Sequence, residues 1–563
     1  MSMTSRLMNW LMKLPPPTTP DPHVTRNIQI PMPDGVALLA DLYIPRGESS
    51  GDRGTQGTQG TPNPQYPTVL IRSPYGRSGV IAGLFALPFA ERGYNVLHQS
   101  TRGTAGSGGD FVYARHEHED GLATIAWIKE QPWFNGELAL AGASYLGFVQ
   151  WAVAAFAGPE LKVMAPAITS SDFNHFRFQG GVLALELNLS WSAMMTEFAA
   201  RGQRLSDFLS QGRRQRKLDQ AYNHLPLREA DLVAVGKPSR SYQDVLAHSP
   251  EDDYWQPVDY SQSLQDVDAP VGMVGGWYDL FLNAQLQDYR RLREAGKQPY
   301  LLIGPWYHGQ PGSFGPTTRD NLAWFDAHLK GKTSGLRASP VRLYVMGANQ
   351  WRDFADWPPP SRPEQWFLQP DGGLAQTPPA ASDPDQYRYN PADPTPAVGG
   401  NSLGKYMGKK DNRQLEARRD VLVYTSPALQ RDLEIIGPVH AELYVRSSLD
   451  YTDFFARLCV VERSGRSLNL CDGIIRVTPE SPAATRQEDG VLFVKLELWP
   501  TANRFKRGQR IRLQVSSGAH PRFARNPGSG ECVGEETTLK LAEQTVYHDP
   551  AHLSSITLPV TSD

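Results

Sequence analysis

The chain is predicted to be α/β, with a mostly parallel sheet and crossover helices, an inserted helical segment and a C-terminal all-β domain. Three observations carry that prediction. Short apolar runs alternate with helical periods over 27–171 and again over 264–360, with glycine-containing turns between them. Between these stretches, 172–263 has few β-branched residues and reads in helical periods rich in Arg, Gln and Leu, the pattern of a lid. After the proline-rich linker at 357–363, alternating runs such as 439–445 and 510–515 mark 363–563 as a sandwich or jelly roll.

The elements follow in order. Residues 1–26 form an N-terminal arm, whose apolar stretch at 7–12 is interrupted by Asn9 and runs into Lys13 and three prolines. It reads as a packing arm or surface helix and not as a signal peptide. Strands are expected at 37–44 and 67–72, and the Gly/Ser/Thr/Gln/Pro-rich segment 46–66 between them as a mobile loop. A helix at 84–93, a strand at 95–99, a helix at 121–131 and a strand at 137–141 come next, then a helix at 145–157. Beyond the lid, strands at 271–274 and 300–303 flank a helix at 282–295.

Composition excludes several function classes. The formal charge of −3 on 563 residues provides no field to gather nucleic acid or acidic membranes. No apolar run reaches the roughly 18 residues of a membrane span. Three cysteines, Cys459, Cys471 and Cys532, cannot all pair, which suggests a reducing compartment and a cytoplasmic protein. Neither CxxC nor Cys/His ligand spacing occurs, and His116-Glu117-His118-Glu119-Asp120 scatters its side chains, so neither metal nor organic cofactor is expected. Glu251 to Trp255 reads as a capped, solvated turn.

The chemistry is concentrated in three loops. Leu138 to Ala141 leads into Gly142-Ala143-Ser144-Tyr145-Leu146-Gly147, a strand, a sharp turn and a helix start that would project a serine hydroxyl above a helix N-terminus. Glycine falls one place later than in G-x-S-x-G. A nucleophile of this kind needs an acid and then a histidine, each on a loop after a strand. Gly275-Gly276-Trp277-Tyr278-Asp279 and Gly304-Pro305-Trp306-Tyr307-His308 supply them in that order.

These motifs resemble those of the cocaine esterase and X-prolyl dipeptidyl aminopeptidase family of α/β-hydrolases, which includes α-amino-acid ester hydrolases and glutaryl cephalosporin acylases. Gly142 to Gly147 matches its G-x-S-Y-x-G, Gly276 to Asp279 its G-W-Y-D, and Gly304 to His308 its G-P-W-x-H. The turn Arg102 to Phe111 and the segments 390–400, 469–473 and 523–527 extend the likeness over about 27–560. Ser100 stands where the family usually has aspartate, and Ala123 where it often has an acid.

The resemblance implies a catalytic triad of Ser144, Asp279 and His308, with an oxyanion hole made by the Tyr75 hydroxyl and the Tyr145 backbone N–H. It allows a homodimer, which no exposed stripe argues independently. An acyl pocket is expected between the hydrolase domain and the lid, with Trp277, Tyr278, Phe281, Phe173, Phe176 and Trp191 as candidate walls. The expected function is a serine hydrolase cleaving small acyl esters, or amides, through an acyl-enzyme. One alternative is an X-prolyl dipeptidyl aminopeptidase, for which no carboxylates to hold a free N-terminus can be placed. A second is a non-catalytic carbohydrate- or partner-binding protein, which would be expected to have lost a triad residue.

Overall fold

Apolar runs that pair on both edges must be covered on both faces, and the central strands are buried throughout. The computed structural model describes residues 3–46, 65–174, 176–198, 211–482 and 484–561; most of the expected mobile loop, 47–64, lies outside the described residues. The N-terminal strands are β1 (His23–Pro31), β2 (Ala37–Ile44), β3 (Thr68–Ser73), β4 (Asn95–Ser100), β5 (Leu138–Ala143) and β6 (Leu161–Ala167). A hairpin of β7 (Phe178–Gln179) and β8 (Val182–Leu183) stands apart. Then come β9 (Gly272–Tyr278), β10 (Tyr300–Tyr307), β11 (Val341–Val345) and β12 (Gln350–Phe354). They form one ten-stranded sheet in the order β1-β2-β4-β3-β5-β6-β9-β10-β11-β12, parallel from β4 to β11.

Helices cover the sheet. The arm's α1 (Met3–Met12) is tied down by Asn9, which donates to Glu91 at 2.8 Å and accepts from Arg92 at 2.6 Å, while Trp10 stays 74% exposed. The helix expected at 84–93 is instead α2 (Gly79–Phe85) and a short α3 (Leu87–Ala90), with Pro88 in the first turn of the second piece. Proline tolerates that position because its missing N–H would have no partner there. The next helix, α4 (Glu117–Lys129), starts a turn before the expected 121, and α5 (Tyr145–Ala154) begins directly after Ser144.

The insert between β6 and β9 carries the hairpin and α6 (Leu185–Phe198), α7 (Gln211–Tyr222), α8 (Ala230–Val235) and α9 (Arg240–Ala247). Its apolar side packs on Phe148, Phe173 and Phe281 rather than on the main sheet core. Asp252 accepts from the backbone N–H of Tyr254 at 2.8 Å, so the acidic run there caps a turn. Two helices then return to the sheet, α10 (Leu282–Glu294) and α11 (Pro311–Lys330).

Both later strands run further than their sequences suggest. Gly275-Gly276, read as a turn, lies inside β9, and Gly304 to Trp306 lies inside β10. A side chain on Gly276 would put its Cβ 2.4 Å from the Trp306 carbonyl oxygen, so the glycine serves close strand approach and not a bend.

Residues 362–560 are an all-β portion of mostly antiparallel strands, such as Leu433–Ser447 paired with Leu492–Phe505. It docks on the first sheet: Met346 and Asn503 bridge, and the Tyr278 hydroxyl donates to the Asn469 carbonyl at 3.0 Å. The chain thus has the expected α/β class, with a helical insert and an all-β C-terminal portion. Among the described residues no helix is long and apolar enough to cross a membrane.

Candidate active site

Strand register brings the three loops together. Tyr278 of β9 pairs with Tyr307 of β10, so the residues that follow, Asp279 and His308, leave the sheet side by side at its carboxyl edge. Ser144 leaves the same edge after β5. The Asp279 carboxylate accepts from His308 Nδ1 at 2.8 Å, and His308 Nε2 lies 3.0 Å from Ser144 Oγ. With the Nδ1 proton held by the carboxylate, Nε2 is the acceptor and the serine hydroxyl donates to it.

The turn at Ser144 requires an unusual backbone. Ser144 has φ 59° and ψ −124°, a strained conformation for a residue with a side chain. Two glycines make room for it. A Cβ on Gly142 would meet the Leu146 Cβ at 2.4 Å, and one on Gly147 would meet Thr169 Cγ2 at 2.4 Å. Glycine is therefore needed three places after the serine, where α5 crosses the end of β6, and not two places after it, where Leu146 is buried.

Beneath the turn, the Tyr145 side chain is an anchor. Its hydroxyl donates to Glu117 Oε1 at 2.8 Å and accepts from Ala114 N at 3.0 Å. Burial pushes the Glu117 carboxyl up, against the pull of Arg72, which pairs with it at 3.0 Å. Asp120 accepts from Arg102, so two acids of the 116–120 run serve buried arginines. Ser100, which stands where the family usually has aspartate, accepts from Arg77 at 2.9 Å. Tyr145 opens α5, and its backbone N–H has no acceptor within the helix.

Tyr75 faces the serine from the loop after β3. Its hydroxyl accepts from Trp191 Nε1 at 3.2 Å, and it lines the same cavity as Ser144. Burial raises its pKa, so the phenol remains a neutral donor. Asp279 is fully buried; its Oδ1 accepts from Phe281 N at 2.8 Å, and its carbonyl accepts from Asn401 Nδ2 at 2.8 Å. Asn401, from the all-β portion, was not anticipated as a support for the acid loop.

A cavity opens on Ser144 and His308. Phe173, Phe176, Trp191 and Phe281 line it. Trp277 and Tyr278 do not. Trp277 is buried beside Trp357 and donates to the Tyr344 carbonyl at 2.8 Å, while Tyr278 reaches Asn469. Both belong to the seam between β9 and its neighbours rather than to the pocket. Tyr113, Arg177, Asn188 and Leu403 line it without having been singled out. Leu403 comes from the all-β portion, so the pocket is not made by hydrolase core and insert alone.

Comparison with known proteins adds to this geometry. Residues 34–310 match the model of the X-Pro dipeptidyl-peptidase (S15 family), and 335–557 that of the X-Pro dipeptidyl-peptidase C-terminal non-catalytic domain. The chain is 32% identical over 581 residues to the cocaine esterase of Rhodococcus sp. (strain MB1 Bresler), covering 95% of this chain and 98% of that one. Its fold is similar to that of an aminopeptidase from a marine sediment Thaumarchaeota archaeon, with TM-score 0.80, 22% identity and 97% of each chain covered. An α-amino acid ester hydrolase gives TM-score 0.79 at 22% identity, over 97% of this chain and 98% of that one.

Proposed function

The chain belongs to the X-Pro dipeptidyl-peptidase (S15) family, which holds the cocaine esterase it resembles, and from that membership we propose a serine hydrolase that cleaves small acyl esters with Ser144, His308 and Asp279. The observation that carries the assignment is the continuous hydrogen-bonded series from Ser144 Oγ through His308 to Asp279. Ser144 Oγ attacks the carbonyl carbon while His308 Nε2 takes its proton and then delivers it to the leaving alcohol. Asp279 holds the tautomer and stabilises the imidazolium. Water, activated by the same histidine, then releases the acid from the acyl-enzyme. The Tyr75 hydroxyl and the Tyr145 N–H are the donors for the developing oxyanion.

The apolar pocket supports ester over X-Pro peptide cleavage. A dipeptidyl-peptidase needs carboxylates for a free amine, and among the described residues lining the cavity there are none. We read 1–26 as an arm, 27–171 and 264–360 as the hydrolase domain, 172–263 as its lid and 363–563 as a jelly roll. Three free cysteines support a reducing, cytoplasmic setting. A fluorophosphonate probe should label the protein and not its Ser144→Ala variant. A panel of p-nitrophenyl acyl esters against Gly-Pro-p-nitroanilide decides the substrate: faster turnover of the anilide would replace the ester reading by the peptidase one.

A further inference from the structure

A second cavity lies on the face of the sheet covered by α2, α3 and α11, and it shares no lining residue with the one that opens on Ser144. Most of its wall is apolar. Phe85 and Phe314, both half-buried, meet edge to face at 6.4 Å on its outer side, and the buried Phe89 and Trp306 line it further in. None of its lining residues is an Arg, Lys, His, Asp or Glu.

Two polar side chains on α11 interrupt this lining. Thr318 and Asn321 stand three residues apart, hence on one face of the helix, and both line the cavity. They are 8% and 7% exposed, and neither side chain forms a hydrogen bond with any described residue. A buried hydroxyl or amide without a partner is costly, and such groups are as a rule hydrogen-bonded. Ser313 on the same helix shows the contrast, since its hydroxyl donates to the Gln310 carbonyl at 2.7 Å.

Another part of the wall is strained. Ile168 has φ 42°, in the left-handed region, where a β-branched side chain is unfavourable. Its N–H donates to the Val274 carbonyl at 2.6 Å, while the Ala167 carbonyl before it accepts from Ser144 N at 2.9 Å. Gly142 and Ala143 also line the cavity, so it backs onto the turn that carries Ser144. Strain of this kind gathers at ligand sites.

We propose that this cavity binds a small neutral aromatic alcohol, with its ring among Phe85, Phe89 and Phe314 and its hydroxyl between Thr318 and Asn321. A hydroxyl both donates and accepts, which suits an amide and a second hydroxyl. Aromatic walls with a few placed polar groups are the make-up of a small-molecule site. The absence of charged lining residues selects against ionised ligands, whose charge would be left unpaired out of water. No residue lining the Ser144 cavity takes part, so the site stands apart from the hydrolase chemistry.

The test pairs benzyl alcohol with toluene, which has the same ring and no hydroxyl. By titration calorimetry the wild-type protein should bind the alcohol at least as tightly as toluene, although the hydroxyl favours water. Asn321→Leu should weaken the alcohol at least tenfold and leave toluene unchanged, and Thr318→Val should weaken the alcohol as well. In crystals soaked with 4-bromobenzyl alcohol, the anomalous signal of bromine should lie among Phe85, Phe89 and Phe314. Should neither variant fold, the wild-type affinities and the bromine position decide. Bromine in the Ser144 cavity alone, binding at crystal concentration only, toluene bound more tightly than the alcohol, or full affinity for the alcohol in a folded Asn321→Leu protein would each overturn the proposal.

Discussion

The indole nitrogen of Trp191 donates to the Tyr75 hydroxyl at 3.2 Å, which fills a lone pair of the phenol and leaves its proton for an oxygen beside Ser144. A residue of the insert thereby aims a donor that belongs to the loop after β3. Tyr75→Phe should lower kcat about 100- to 1000-fold without altering the melting temperature much. Trp191→Phe keeps an aromatic ring stacked near Tyr145 but loses the donor, and should cost on the order of fivefold in kcat. Full activity in Tyr75→Phe would remove the phenol from the oxyanion site.

The acid and the nucleophile should separate kinetically. Ser144→Ala should eliminate burst and steady-state hydrolysis alike. Asp279→Asn should retain fluorophosphonate labelling at a much lower rate, with kcat down about 10⁴-fold through the wrong histidine tautomer.

For Tyr145 the side chain and the backbone have different duties. Tyr145→Phe leaves Glu117 and the Ala114 N–H short of a buried partner, so unfolding should become easier by about 1–3 kcal/mol in urea. Turnover at a temperature where the variant is folded should stay near wild type, since the donor proposed for the oxyanion is the backbone N–H.

Gly147→Ala should disturb both properties. Its methyl would stand 2.4 Å from Thr169 Cγ2, forcing α5 away from the end of β6 at a cost of about 1–3 kcal/mol. Because α5 begins at the nucleophile, kcat should fall with stability. An unchanged melting curve would show that the helix has room to shift.

In the all-β portion, Asp472 is fully buried between Arg457 and Arg522. Burial opposes its ionisation, yet the two guanidiniums outweigh it and hold the carboxyl below the usual 3.8. A carboxyl depressed on folding contributes stability that is complete above the ordinary aspartate value and fades as pH falls through the lower folded one. Acid unfolding, followed by circular dichroism, should therefore extend below pH 3.8 for this portion. Asp472→Asn should cost about 3–5 kcal/mol near neutral pH, because it strands two buried cations.

The elements most legible in sequence were those with a single strong pattern. β2 occupies the expected residues, and the meeting of Ser144, Asp279 and His308 was legible because each motif ends a strand in a fixed chain order. Local signals misled where a residue's reason lay elsewhere in the chain. Gly276 looked like a turn because nothing in its own segment reveals the Trp306 backbone against it. Trp277 looked like a pocket wall because of its nearness to Asp279, whereas it packs on Trp357 and bonds the Tyr344 carbonyl. Arg177, which lines the cavity, carried no signal, since one arginine among aromatics reads as surface.

Asn401 and Leu403 reach the acid loop and the pocket from a part of the chain whose family model bears the label non-catalytic. Grafting a relative's C-terminal third onto this hydrolase core would import a different amide and a different wall alongside a supposedly passive scaffold. The two thirds and the one third must therefore diverge in step, and chimaeras cut near residue 360 should inherit the substrate range of neither parent.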